Sequence, residues 1–283
     1  MSKEVVFKVT EGVSNVLTVF AGDLSKPCIL IAPAMGVPAR TYLVLAAELQ
    51  LLGYSAATFD MRGIGQSSIR AGRDNDFGYF DLVSEDFPAA VKALEAELPN
   101  RQLVLFGHSL GGQLSCLYLS QNPNAATALI LSASCSVHHK GWGFPYNVSL
   151  LFFSQLAALI ARIVGYFPGK KLGFGGREAR GLMIDWANNA RNGRYRLLNT
   201  PIDFESDLKK VNLPVLALNY NDDNLAPPRA TKLLLSKLEN SNISYLSVSA
   251  EELELKRADH FSWVGAPKLI AHKIDQWINH TLA

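Results

Sequence analysis

The sequence predicts an α/β fold: a mostly parallel sheet flanked by helices, with a helical cap inserted late in the chain. Three observations carry this expectation. Short apolar runs recur with helix-length segments between them, the pattern of a parallel sheet covered on both faces. One run, Leu103 to Phe106, passes through Gly107-His108-Ser109-Leu110-Gly111 directly into a segment with Leu114, Leu117 and Leu119 at buried-helix spacing. From Cys135 to about Leu213 the strand alternation stops and aromatic residues accumulate, among them Trp142, Phe152, Phe174 and Trp186. The expected organisation is therefore a core made of residues 1–134 and 214–283, with a helical cap over 135–213.

The elements follow in order. Residues 4–10 and 14–20 read as a hairpin at the sheet edge, joined by Glu11-Gly12. The run Cys28 to Ala32, between Pro27 and Pro33, is a buried strand. A helix over about 42–52 ends at Gly53, suited to a left-handed cap, and 54–59 is the next strand. The loop from Asp60 to Ser67 is glycine-rich, but no G-x-x-x-x-G-K-[ST] helix start follows, so its glycines indicate tight backbone and not a phosphate site. A helix is expected from Ser84 or Asp86 to Leu98, with Pro88 in its first turn, where proline is tolerated. After the Ser109 helix come strands near 126–133, 214–219 and 243–248, then a final helix carrying His272 and His280. In the cap, helices are expected over about 149–164 and 177–192.

Composition narrows the function. Of 283 residues, 48% are hydrophobic and 18% charged, which describes a globular chain with a sizeable core. A net charge of +2 without any Lys/Arg run argues against nucleic acid. The N-terminus lacks the apolar core and cleavage site of a signal peptide, so a cytoplasmic location is expected. Cys28, Cys116 and Cys135, an odd number without metal-site spacing, are expected to be reduced core residues. Residues 141–161 carry no charge, which is within reach of a membrane span. Pro145, Asn147, Ser149, Ser154 and Gln155 interrupt the run, so it is expected to be a substrate lid, with Phe152 either lining the pocket or in the cap's own core, and membrane contact through the cap is the alternative that is not expected.

A strand turning into a helix around G-x-S-x-G is the nucleophile elbow, which exposes a serine hydroxyl at a tight turn. Gly107 and Gly111 flank the corner and Gly112 lets the helix approach the strand. A serine nucleophile needs a base, and the base needs an orienting acid, in the chain order Ser, Asp/Glu, His for this arrangement. His260, in a loop between the last strand and last helix, is the candidate base, and Asp222 or Asp223, just past the strand near Asn219, the acid. His108 and Asp259 adjoin triad candidates in sequence and are expected to point away and serve structure. An oxyanion is held by the N–H of the residue after the nucleophile, Leu110, and by an N–H from residues 33–36, with Met35 preferred over Ala34.

Together these pieces resemble the α/β-hydrolase superfamily, within it the serine aminopeptidase-like and monoglyceride-lipase-like branch and a bacterial hydrolase group of that branch. The matching stretches are Ala32 to Gly36, Asp60 to Ser67, Gly107 to Gly111, Asp223 with Pro227, and His260; the segment Gly165 to Gly173 with Trp186 is similar to the bacterial group. The D-x-x-x-P spacing favours Asp223 over Asp222. Pro33-Ala34 replaces the usual His-Gly before the oxyanion residue, a departure that bears on Met35. The resemblance implies a serine hydrolase cleaving a carboxylic ester or related acyl compound through an acyl-enzyme, with a small-molecule acyl substrate and neither cofactor nor metal. An acyltransferase or thioesterase using the same triad is the alternative, and a non-catalytic binder on the same fold a more distant one; substrate and oligomeric state stay open.

Overall fold

The computed structural model describes residues 2–282. In chain order the elements are β1 (Ser2–Thr10), β2 (Val13–Phe20), β3 (Cys28–Ala32), α1 (Leu43–Leu51), β4 (Ser55–Phe59), α2 (Tyr79–Asp81), α3 (Phe87–Glu97), β5 (Leu103–His108), α4 (Leu110–Gln121) and β6 (Ala128–Ser132). Then come α5 (Tyr146–Val164), β7 (Tyr166–Phe167), α6 (Gly169–Leu172), β8 (Glu178–Ala179), α7 (Arg180–Asn192), α8 (Phe204–Leu208), β9 (Pro214–Tyr220), α9 (Pro228–Leu235), β10 (Asn242–Val248) and α10 (Pro267–Thr281).

Eight strands form one sheet in the order β1-β2-β4-β3-β5-β6-β9-β10. β1 and β2 are an antiparallel edge hairpin, β2 meets β4 antiparallel, and every later pairing is parallel. The central strands are buried on both faces. Leu30, Leu105, Leu129 and Val215 point into one core, and Ile29, Val104, Phe106, Ile130 and Leu216 into the other. This is the period-two consequence of continuous apolar runs. The strand order reverses at β3: the chain moves outward to β4 and returns across to β5. In an open α/β sheet the crevice beyond the strand ends at such a reversal is where ligands bind.

Three helix starts shift, among them α5, which begins at Tyr146 and not near 149. The helix placed at 84/86–98 begins earlier, because α2 runs through a π-helical turn, Leu82–Asp86, into α3. Phe87 N–H reaches back five residues to Leu82 O, and this widened turn accommodates Pro88, which lacks an N–H and whose ring crowds the preceding turn. The helix placed at 177–192 begins at Arg180, because Glu178–Ala179 pairs with Tyr166–Phe167 in a small antiparallel ribbon.

The turn-rich loop after β4 is held by two buried acids. Asp60 accepts from Ala39 N–H (2.8 Å) and Gln66 N–H (2.9 Å), and Asp86 accepts from Asn15 Nδ2 and Arg62 N–H, both at 2.8 Å. A Cβ on Gly65 would lie 1.9 Å from Asp60 Oδ1, so the glycine serves tight backbone. The three cysteines are buried and unpaired with each other.

Candidate active site

Four sheet-end loops converge at the reversal. β5 ends at His108 and α4 starts at Leu110, leaving Ser109 alone at the corner with φ 53° and ψ −116°. A non-glycine residue at positive φ is strained, and the surroundings hold it there. Ser109 N–H donates to Ser132 O (3.0 Å), while its carbonyl accepts from Gly112 N–H (3.1 Å) and Ser134 Oγ (3.0 Å). The glycines are obligatory for contact: a Cβ on Gly107 would sit 2.3 Å from Gly112 Cα, and one on Gly111 2.3 Å from Ala32 O.

His260, in the loop after β10, brings Nε2 to 2.9 Å from Ser109 Oγ and Nδ1 to 2.8 Å from Asp223 Oδ2. The other oxygen of Asp223 accepts from Leu225 N–H (2.8 Å) and Ala226 N–H (2.9 Å), which fixes the carboxylate plane. Asp222 points elsewhere. It exchanges two bonds with Ala258, N–H to O and Oδ2 from N–H, both 2.9 Å, and so clasps the loop that carries His260. Asp259 accepts from Ser262 N–H (2.9 Å) and is likewise a loop brace.

Of the two expected oxyanion donors, Leu110 is the first residue of α4, whose opening N–H groups have no partner within the helix. On the facing loop, Ala34 N–H is already committed to Tyr42 Oη (3.1 Å). Among the described residues Met35 N–H has no acceptor, so the structure leaves Met35 the available donor of the two. Gly36, at φ +71°, packs so closely on the loop before β8 that a Cβ would lie 2.3 Å from Gly176 N.

The family profile described as Serine aminopeptidase, S33 (Hydrolase_4) matches residues 24–249. The chain belongs to this family. The S33-family chain is 29% identical over 204 residues to a non-heme chloroperoxidase of Streptomyces lividans, covering 64% of this chain and 71% of that protein. It is 26% identical over 245 residues to phospholipase ABHD3 of Mus musculus, covering 78% of this chain but 56% of that protein. Est1E of Butyrivibrio proteoclasticus, solved with ferulic acid bound, shares the fold at TM-score 0.68 with 14% identity, over 98% of this chain and 99% of that one. The S33-family protein thus has the α/β-hydrolase fold and is an enzyme with hydrolase activity of the esterase/lipase type.

Behind the site of this S33-family hydrolase lies a hydrogen-bonded chain that motif reading missed. His108 Nε2 is 2.9 Å from His260 O, and a carbonyl only accepts, so Nε2 carries the proton. Burial, reinforced by His260, pushes His108 well below the usual histidine range and keeps it neutral. Its Nδ1 therefore accepts from Tyr42 Oη (2.8 Å), and Tyr42 Oη in turn accepts from Ala34 N–H. One buried tyrosine and one buried histidine thus tie the loop after β3 to the backbone of His260. Tyr42→Phe is expected to leave a buried donor and a buried acceptor unpaired and to lower stability by about 1–3 kcal/mol in denaturant unfolding; an unchanged midpoint would remove this link.

The pocket over Ser109 encloses about 190 Å³ and is walled by Met35, Trp142, Leu150, Phe174, Trp186 and Phe261. Gln113, held by Tyr195 Oη at 3.1 Å, is a polar group on this wall. Phe152 is not there: its side chain is 70% exposed on the outer side of α5, and its neighbours Leu150 and Phe153 turn inward instead. Glu178 is buried beside Gly36, accepts from Gly176 N–H (2.6 Å), and burial pushes its carboxyl up to about 7. Among the described residues no group of three His, Cys, Asp or Glu side chains is placed to hold a metal ion.

Proposed function

We propose that this hydrolase cleaves carboxylic esters of apolar acyl compounds by a Ser109–His260–Asp223 mechanism. The observation that carries the reading is the unbroken chain from Asp223 Oδ2 through His260 (2.8 Å) to Ser109 Oγ (2.9 Å), opening on an apolar pocket. Ser109 Oγ attacks the ester carbonyl as His260 Nε2 takes its proton. Asp223, with one oxygen pinned by two backbone N–H groups, holds Nδ1–H and stabilises the imidazolium. Negative charge on the carbonyl oxygen is met by the N–H groups of Leu110 and Met35. His260 then protonates the leaving alkoxide, and water, deprotonated by the same nitrogen, releases the acid from Ser109.

The names of the relatives fit this reading: one is a phospholipase and another, from Monkeypox virus, a monoglyceride lipase homolog that is 31% identical over 108 residues, 38% of this chain and 37% of that protein. A series of p-nitrophenyl esters of increasing acyl length tests it. Leu150→Ala, which enlarges the pocket wall, is expected to shift the preferred length by about 1–3 kcal/mol in kcat/KM ratios. Phe152→Ala, which faces outward, is expected to leave the preference unchanged. Absence of turnover across the series would end the ester reading.

A further inference from the structure

α5 presents large apolar side chains to the outside and small ones to the protein. Ser154, Ala157, Ala158 and Ala161 are its buried residues, and the helix packs along α7. Val148, Phe152, Leu156, Leu159 and Ile163 stand outward with exposures of 56%, 70%, 40%, 49% and 69%. Their spacing of three or four residues aligns them in one stripe down the helix. Phe144 and Tyr146, 85% and 67% exposed, extend the apolar surface past its N-terminal end. A helix face turned to water is ordinarily polar. By length and composition α5 is also able to cross a membrane, but its inner side is fastened to the protein, with Gln155 Nε2 donating to Ala187 O at 2.8 Å. A helix tied along one side is placed to lie on a bilayer and not to span it.

The segment that carries the stripe has charge of one sign. Residues 139–177 contain Lys140, Arg162, Lys170, Lys171 and Arg177, and no Asp or Glu. Arg162 lies in the last turn of α5, and Arg73 adds a second guanidinium there by donating from Nε to Val164 O (3.2 Å). Lys170 and Lys171 follow in α6, beside Leu172, which is 53% exposed. Among the described residues, none of Lys140, Arg162, Lys170 and Lys171 has a carboxylate within salt-bridge distance. A symmetric contact between two copies of this stripe would bring these cations together, whereas a phospholipid surface supplies phosphates and acidic headgroups.

We propose that the outer face of α5 docks on an anionic phospholipid surface, with Val148, Phe152, Leu156, Leu159 and Ile163 in the acyl boundary and the basic residues at the headgroups. The helix then lies in the interfacial plane, as amphipathic surface helices do. Leu150 of the same helix lines the Ser109 pocket, so docking brings the pocket wall to within one helix width of the lipid. This takes up the alternative of membrane contact through the cap. The docking claim does not depend on the identity of the nucleophile, because binding is read without turnover.

The test is sedimentation of the full chain with vesicles of phosphatidylcholine alone and of phosphatidylcholine mixed with phosphatidylserine. Wild type is expected to pellet with the mixed vesicles. A Phe152→Ser, Leu156→Ser, Ile163→Ser triple variant is expected to lose at least about tenfold in partitioning, since three large apolar groups no longer leave water. Its circular dichroism and its hydrolysis of a soluble short-chain ester should stay at wild-type levels, because none of the three lines the pocket or the core. Lys170→Glu with Lys171→Glu is expected to lose about tenfold on mixed vesicles and little on phosphatidylcholine. Wild type remaining in the supernatant with mixed vesicles would overturn the proposal, as would equal binding by the triple variant. A wild-type dimer in solution that the triple variant dissolves, without vesicle binding by either, would assign the stripe to self-association and overturn it as well.

Discussion

Ser109→Ala is expected to lower kcat by on the order of 10⁶-fold, because a triad serine and its base act as one unit and loss of either removes the covalent route. The fold should survive. The positive φ at Ser109 is imposed by Ser109 N–H to Ser132 O and by the tight packing of Gly107 on Gly112, neither of which involves the hydroxyl. Alanine meets about the same backbone strain there as serine. Active-site titration and thermal unfolding of the purified variant together check this. A folded variant with near-wild-type turnover would rule out Ser109 as nucleophile.

Asp223→Asn is expected to lower kcat by about 10⁴-fold through the histidine tautomer. Leu225 N–H and Ala226 N–H both donate to Oδ1, so an asparagine keeps its carbonyl oxygen there and turns its NH₂ toward His260 Nδ1. Nδ1 must then accept, the proton moves to Nε2, and Nε2 no longer takes the proton of Ser109. Asp222→Asn disturbs only the clasp to Ala258 and is expected to cost on the order of 1 kcal/mol of stability, with a small effect on kcat. Steady-state kinetics of the pair decides between them; a larger loss in Asp222→Asn would move the acid by one position.

The sheet and the candidate triad were legible because each rests on local sequence with a strict physical requirement. G-x-S-x-G requires glycines where Ala32 O and Gly112 leave no room for a Cβ, and such crowding shows in the sequence as glycine. The departure at Pro33-Ala34 leaves the oxyanion donor open in the sequence, and the bond from Ala34 N–H to Tyr42 Oη is what favours Met35 over Ala34. Tyr42 and His108 are 66 positions apart, and nothing in either local sequence signals the bond between them. The start of the helix before β5 was misplaced because Pro88 is an N-terminal signal in a regular helix, while here a π turn admits it within a longer one. Which side of α5 faces the pocket was hidden for another reason. A helix apolar around its circumference has no polar face to mark the solvent side, so sequence alone does not separate the outward Phe152 from Leu150 at the pocket wall.

In the proposed mechanism an acyl group is carried on Ser109 Oγ. Labelling the folded protein with a fluorophosphonate probe, followed by peptide mapping by mass spectrometry, tests it most directly. A single adduct is expected on the peptide containing Gly107 to Gly111, located on Ser109, diminished by prior incubation with a slowly turned-over ester and absent in Ser109→Ala. An adduct on a different residue, or no adduct on a protein that still hydrolyses esters, would contradict it.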